Sequence, residues 1–145
     1  MTTTNNNEKT RPEILTILCI LTFAGSGLAM FSNLSAFLLI DTLREFYNNE
    51  AFKFFDDEMT DLLGLFLNAN SIFFILQVIT YALAIYGANL MWNLRKFGFH
   101  LYTISQIILL IIPQVLIPEL PFPLLGLLIS LIFVSLYARN LQYMS

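Results

Sequence analysis

The chain has 145 residues, of which 57% are hydrophobic and 12% charged, with a formal net charge of -3 and a mean hydropathy of +0.73. Soluble domains carry about a quarter charged residues, so this composition excludes an ordinary soluble globular protein and indicates a chain that lies in a lipid bilayer. The net negative charge and the lack of a basic patch disfavour nucleic-acid binding.

Four long stretches contain no Asp, Glu, Lys or Arg, and each can cross about 30 Å of hydrocarbon as a helix. None alternates as a membrane β-strand does. We therefore expect an all-α membrane protein, a four-helix antiparallel transmembrane bundle. The predicted order is a disordered N-terminal segment 1–12, spans at 13–40, 62–94, 99–117 and 124–138 (with 120 as an alternative start of the last), an external loop 41–61, a cytoplasmic turn 95–98, an external proline turn 118–123 and a cytoplasmic tail 139–145.

The basic residues predict the orientation. Lys9 and Arg11 precede the first span, Arg95 and Lys96 follow the second, and Arg139 follows the fourth, so five of the seven basic residues fall on one side. Because positive charge marks the cytoplasmic side, we expect both termini in the cytoplasm.

The first span is followed by a loop rich in acidic and aromatic residues, which reads EFYNNEAFKFFDDEMTD over residues 45–61. Apolar spacings of three and four predict one or two short amphipathic helices, with a break at Asn48-Asn49. Carboxylates in the first turn of a following helix would also interact favourably with the helix dipole. This interaction explains many of the acidic residues of the loop without a ligand. The glycine turn and ligand spacing of a calcium loop are absent. As candidates for an external contact we take Phe46, Tyr47, Phe54, Phe55, Asp56, Asp57 and Glu58.

Small residues recur at helical spacing within two of the spans. Such a stripe lets another helix approach closely, so we expect helix packing at these positions. They are Gly25, Ala29, Ser32 and Ala36 in the first span, and Gly126 and Ser130 in the fourth.

The amide side chains inside the predicted membrane spans include Asn70, Gln77 and Gln106, which we take as the candidate intramembrane polar residues. One interpretation makes them hydrogen-bond partners between helices, and the other makes them the lining of a substrate path. The first is favoured, because no Asp, Glu, Lys or Arg falls in the interior of a span, and such groups usually mark ion and proton pathways.

Motifs for catalysis are missing from the sequence. It contains no phosphate-binding glycine loop, HExxH motif or cysteine cluster, and it has a single Cys19 and a single His100. We therefore expect no enzyme activity, no catalytic residue, no cofactor and no metal site.

Two segments carry a resemblance to a known group of proteins. These are LCILTFAGSG (18–27), preceded by Pro12 and Leu15, and GANLMWNLRKFGFHLYTISQ (87–106). In the second, the most distinctive residues are Trp92, Lys96, Gly98, Phe99 and Tyr102. The chain resembles small uncharacterised four-helix inner-membrane proteins of Bacteroidota. The resemblance implies a multi-pass protein of the bacterial inner membrane, and it brings no activity, cofactor or catalytic residue.

Two functional classes follow from these observations. In the first, the protein is a non-catalytic subunit or scaffold of a membrane-protein complex. In the alternative, it is a small oligomeric transporter or channel subunit whose path is lined by Gln77 and Gln106. The proline turn and the lack of an inverted repeat favour the first class. The expected partners are the lipid bilayer and a membrane protein or further copies of the chain.

Overall fold

The computed structural model describes residues 10–49 and 52–145, so most of the predicted N-terminal segment 1–12, and Glu50 of the loop, lie outside the described residues. The described residues form α1 (Glu13–Asn48), α2 (Asp57–Asn68), α3 (Ile72–Trp92), α4 (Phe97–Leu116), α5 (Leu124–Arg139) and a short 3-10 helix (Leu141–Tyr143). Within them, four segments are long and apolar enough to cross a membrane: Glu13–Asn48, Ile72–Trp92, Phe97–Leu116 and Leu124–Tyr143. For the described residues, the prediction of an all-helical fold with four helices long and apolar enough to cross a membrane is confirmed.

The four spanning helices run up and down around two buried clusters. α3 lies between α1 and α4 and packs along both, whereas α5 contacts α4 and α1 more sparsely. One cluster joins Leu15 of α1, Met91 of α3, Tyr102 of α4 and Tyr137 of α5. This cluster lies beside the first and last described residues of the chain and beside the α3–α4 turn. We call this end of the bundle the terminal end. The second cluster, around Phe73, lies at the opposite end, which we call the loop end.

The closest approach of two helices is between α3 and α4, where two glycines face each other. A Cβ on Gly87 would lie 2.8 Å from the Tyr102 nitrogen and 2.9 Å from the Gly98 oxygen. A Cβ on Gly98 would collide with the Gly87 oxygen and would lie 2.7 Å from the Met91 nitrogen. These distances are too short for any side chain, so both positions require glycine.

The α3–α4 turn is held by both described ends of the chain. Ser145 donates its backbone N–H to the Leu94 oxygen (2.8 Å) and accepts from the Lys96 N–H (3.1 Å). The Arg11 guanidinium lies 3.6 Å from the centroid of the Trp92 ring and donates to the Trp92 oxygen at 3.1 Å. A cation over an indole ring is favourable, so Arg11 anchors the start of α1 to the turn.

α1 is longer than the predicted span. The apolar stretch was expected to end at residue 40, but the helix continues for eight further residues to Asn48, at the predicted Asn48-Asn49 break. Its 36 residues are about 54 Å long at 1.5 Å per residue, well beyond about 30 Å of hydrocarbon. At this length the last turns of α1 extend beyond the hydrocarbon. A helix need not end where the charged residues begin. The helical parts of the predicted loop 41–61 are therefore extensions of α1 and, from Asp57, of α2.

The predicted second span, residues 62–94, is not one helix. It is broken at residues 69–71 into α2, which has 12 residues and is too short to cross the bilayer, and α3. The Asn70 side chain accepts from the Ile72 N–H at 3.1 Å, a local bond that competes with helix continuation.

Arg44 satisfies the carbonyl groups that this break exposes. Its Nε donates to the Leu67 oxygen at 2.6 Å and a terminal nitrogen donates to the Ala69 oxygen at 3.1 Å. A cation at a helix C-terminus meets both the free carbonyls and the negative end of the dipole. Arg44 therefore fixes the end of α2 to α1.

Candidate functional site: a cavity between the helices

A partly open cavity of about 730 Å³ lies between α1, α3, α4 and α5, and residues of α2 line it at the loop end. The α1 wall consists largely of small and polar residues, and the opposite walls carry most of the amides and rings. The residues that concern its chemistry are Thr22, Gly25, Ser26, Ala29, Ser32, Asn33, Ala36, Gln77, Tyr81, Tyr102, Gln106, Gly126 and Ser130.

Within the described chain, no helix packs closely on the small-residue stripe of α1 at Gly25, whereas Ala36 packs against the cluster around Phe73; helix packing by Gly25, Ala29 and Ser32 against a partner stays a prediction. All four line the cavity, and a Cβ on Gly25 would meet nothing within 4 Å. A small-residue stripe brings helices together only where a second helix lies opposite, and α5 contacts α1 too sparsely to fill this space.

The predicted positions in α5 have a neighbour. A Cβ on Gly126 would lie 3.6 Å from the Pro123 Cβ and 3.9 Å from a Leu110 methyl group, which is ordinary contact. The Ser130 hydroxyl donates to the Gln106 Oε1 at 2.9 Å. This bond links α5 to α4 beside the cavity, and Gln106 and Ser130 thus satisfy each other.

The floor of the cavity at the terminal end is a hydroxyl pair. The hydroxyl oxygens of Thr22 and Tyr137 lie 2.8 Å apart and share a hydrogen bond between α1 and α5. The Tyr102 ring meets the Tyr137 ring edge-on, with centroids 4.9 Å apart, a favourable aromatic geometry. These contacts close the bundle below the cavity.

Among the amides of the cavity, Asn33 and Gln106 make hydrogen bonds and Gln77 makes none in the described part of the chain. Its side chain is 6% exposed, and its Oε1 has no hydrogen-bond partner in the described part of the chain. A buried polar atom without a partner costs about 1–3 kcal/mol. Gln77 was expected to bond to another helix, and it makes no such bond. The buried Nε2 of Gln114 also lacks a partner, but Gln114 does not line the cavity.

The third predicted intramembrane amide, Asn70, is not inside a span. It lies in the α2–α3 break, is exposed, and holds the first turn of α3. The interpretation of Asn70 as a hydrogen-bond partner between helices is therefore wrong, because the predicted span ran through a break that Asn70 itself helps to form.

Two of the predicted external-contact residues have structural roles. The Tyr47 ring packs against α2, where a Cβ on Gly64 would lie 2.6 Å from its hydroxyl oxygen. Asp56 caps α2 and accepts from the Met59 N–H at 2.9 Å. Asp57 and Glu58 lie in the first turn of α2, where the helix dipole favours carboxylates.

The remaining predicted residues form an outward surface. Phe46, Phe54 and Phe55 are 52%, 75% and 40% exposed. The Phe54 and Phe55 rings touch, with centroids 4.3 Å apart, and the carboxylates of Asp57 and Glu58 are exposed close by in sequence. We call these five residues the loop-end surface.

Ser26 lines the cavity and was not predicted, and neither were two further polar residues of α1, Thr22 and Asn33. Asn33 donates to the Ala29 oxygen of its own helix at 2.8 Å. The signal was available, because Thr22 and Asn33 fall on the small-residue stripe at spacings of three and four. Polar side chains on such a stripe favour a lined space over a dry helix contact.

The fold and the cavity define a multi-pass α-helical membrane protein. Among the described residues, no group of three or more His, Cys, Asp or Glu side chains is placed to hold a metal ion. Comparisons with protein-family models, curated proteins and solved structures found no match. Function must therefore be argued from the geometry.

Proposed function

We propose that the protein is a non-catalytic subunit of a membrane-protein complex in the bacterial inner membrane, and that it contacts a partner through the loop-end surface. Both termini face the cytoplasm in this proposal. The basic residues Arg11, Arg95, Lys96 and Arg139 support that orientation, because positive charge accumulates on the cytoplasmic side.

The observation that carries the proposal is the exposed ring pair of Phe54 and Phe55. Single exposed hydrophobic residues are ordinary, but adjacent aromatic rings held outward resemble the anchors of protein interfaces. Phe54 is 75% exposed and Phe55 is 40% exposed, and the ring contacts of both are with each other and with Phe52 of the same loop. These rings remain available to a partner.

The charge of the loop end defines the chemistry of that partner. The described cations at this end are Arg44, which is committed to the α2–α3 break, and Lys53. Carboxylates outnumber them: Asp41, Glu45, Asp56, Asp57, Glu58, Asp61 and Glu119. Complementary charge steers association, so we expect a partner surface that combines basic and apolar side chains.

The test removes the ring pair and leaves the rest of the loop end intact. The double variant Phe54→Ser with Phe55→Ser is compared with Phe122→Ser, which changes a 52% exposed ring in the proline turn. After gentle detergent extraction, the proposal predicts that partners co-purify with the wild type and with Phe122→Ser and are lost from the double variant.

Two outcomes would contradict this proposal. Retention of the partner by the double variant would exclude the ring pair as the contact. Loss from both variants would assign the rings to general anchoring at the membrane interface, where aromatic residues are enriched.

The cavity favours a second candidate function, that of a small oligomeric transporter or channel subunit. Gln77 and Gln106 both line it, as a polar path requires. In reconstituted vesicles, the double variant Gln77→Leu with Gln106→Leu is expected to transport solute more slowly than the wild type. Assembly of the oligomer should be unchanged. Unchanged flux would exclude these amides from a path.

A further inference from the structure

We infer that the terminal end of the bundle binds the headgroups of anionic phospholipids through Arg95, Lys96 and Arg139. This inference goes beyond the proposed subunit role, because it assigns a lipid ligand to the end opposite the loop-end surface. It holds whichever side of the membrane the terminal end faces, so it can fail or succeed independently of the proposed orientation and partner.

The three cations lie where the chain leaves the bilayer. Arg95 and Lys96 belong to the short connection between the spanning helices α3 and α4, and Arg139 lies in the last turn of α5. The rings of Phe97 and Tyr143, close to them in sequence, are 66% and 46% exposed. Aromatic side chains are enriched at the level of the lipid headgroups. The cations are therefore at the height where a phospholipid presents its phosphate.

The positive charge of these three residues is not neutralised within the protein. All three side chains are exposed, and no carboxylate of the described residues pairs with any of them. At the terminal end the described residues include a single carboxylate, Glu13, and the remaining cation, Arg11, is stacked on Trp92. An exposed basic side chain at the membrane surface attracts anionic lipids, whose phosphate accepts charge-assisted hydrogen bonds.

Two of the cations are fixed in position by the backbone. α3 ends with Leu94 in the left-handed region, at a φ of 59°, and the Arg95 N–H donates to the Leu90 oxygen at 2.9 Å. Ser145 holds the same turn from the other side through its bonds to Leu94 and Lys96. A residue with a side chain rarely adopts this backbone conformation, and such strain is concentrated at functional positions. Positive charge directs insertion whatever its geometry, whereas binding gains from charges held in place.

The position of the cations favours a lipid over an acidic protein as the ligand. An acidic protein segment would have to reach the cations between the headgroups, whereas phospholipid surrounds the bundle in any bilayer. The loop end would repel the same lipid, because carboxylates outnumber cations among its described residues. Charge and position therefore both restrict anionic lipid to the terminal end.

The first experiment uses Trp92, the only tryptophan of the chain, to report on lipids at the turn. The full chain is reconstituted into symmetric vesicles of phosphatidylcholine and phosphatidylglycerol, with one lipid at a time carrying brominated chains that quench indole fluorescence. We expect phosphatidylglycerol to be preferred at the turn by about fivefold or more, the attraction of one cation at an anionic surface. Equal quenching by the two lipids would overturn the inference and leave an acidic protein segment as the candidate ligand.

The second experiment locates the site with matched variants. One variant removes the three charges (Arg95→Gln, Lys96→Gln and Arg139→Gln), and the other keeps them (Arg95→Lys, Lys96→Arg and Arg139→Lys). The side chains are exposed, so both variants should fold, as checked by circular dichroism. The preference for phosphatidylglycerol is expected to disappear in the first variant and to remain in the second. Equal preferences in the two variants would overturn the assignment.

The third experiment separates a lipid headgroup from free phosphate. Raising sodium chloride from about 0.1 M to about 1 M shortens the Debye length from about 10 Å to about 3 Å, so the preference should weaken. Inorganic phosphate should weaken it no more than sodium chloride at equal ionic strength. A preference that is unchanged in about 1 M salt would exclude contact through exposed charges. A selective loss in phosphate would assign the cations to a free anion, and either result would overturn the inference.

Discussion

The terminal end and the cavity show two uses of small residues in one bundle. At the terminal end Gly87 and Gly98 bring α3 and α4 into contact, and Leu15, Cys19 and Met91 are fully buried. Around the cavity, Gly25 and its neighbours face open space. Lipid tails are as apolar as leucine, so stability in a membrane comes from close packing rather than from burial alone. The terminal end supplies that packing, and the α1 wall of the cavity does not.

The largest expected difference is between two leucines of α1 that are three residues apart. Leu18 is 4% exposed in the terminal cluster, and Leu21 is 52% exposed at the cavity. Leu18→Ala should leave a void and lower the free energy of unfolding by about 2 to 4 kcal/mol. Leu21→Ala should lower it by less than about 1 kcal/mol, because few neighbours lose contact. Thermal unfolding in detergent measures both, and equal losses would remove the distinction between the two regions.

The loop end should depend on Arg44 more than on packing. Arg44→Met removes two charge-assisted hydrogen bonds to the carbonyls of Leu67 and Ala69 and should destabilise α2 by about 2 kcal/mol. Hydrogen exchange of the α2 amides should rise while the terminal end stays protected. Asp41→Asn is the control, because the 3.4 Å ion pair between Asp41 and Arg44 is exposed and worth about 0 to 1 kcal/mol. Unchanged α2 exchange in Arg44→Met would contradict this role.

The smallest expected effect concerns the polar groups of the cavity. A double-mutant cycle of Gln106→Leu and Ser130→Ala should give a coupling free energy of about 0.6 kcal/mol, as is typical between membrane helices. Gln77→Leu should not destabilise the protein, because it removes an unpartnered group. A loss of stability in Gln77→Leu comparable to that in Leu18→Ala would show that Gln77 has a structural partner.

The class of fold was predictable because four charge-free stretches and their hydropathy suffice to place four spanning helices. The boundaries of the spans were not predictable, because the position of charged residues alone does not mark where a helix ends. Residues 62–94 would form a helix of about 50 Å, but α1 is unbroken at about 54 Å, so length alone does not mark the break. The break at residues 69–71 is stabilised by Arg44, which is distant in sequence from the residues that it contacts.

The cavity was harder to predict than the helices. A stripe such as Gly25 to Ala36 indicates a close partner, but whether one is present depends on the course of α5, which the sequence of α1 does not encode. The actual close contact uses Gly87 and Gly98, which come from two helices; within α3, Gly87 lies three residues after Ala84, which is also buried. Asp57 and Glu58, by contrast, lie in the first turn of a helix as the local pattern predicted, because that interaction is within one segment.

The most direct test of the difference between the two regions is the same substitution in each, with unfolding of Gly98→Ala and Gly25→Ala measured in one detergent. An added Cβ at Gly98 collides with the Gly87 oxygen, whereas at Gly25 it meets nothing within 4 Å. We predict that Gly98→Ala loses about 1 to 3 kcal/mol from overpacking, and that Gly25→Ala is unchanged or gains up to about 1 kcal/mol from helix propensity. Equal effects of the two substitutions, or a larger loss for Gly25→Ala, would contradict the account.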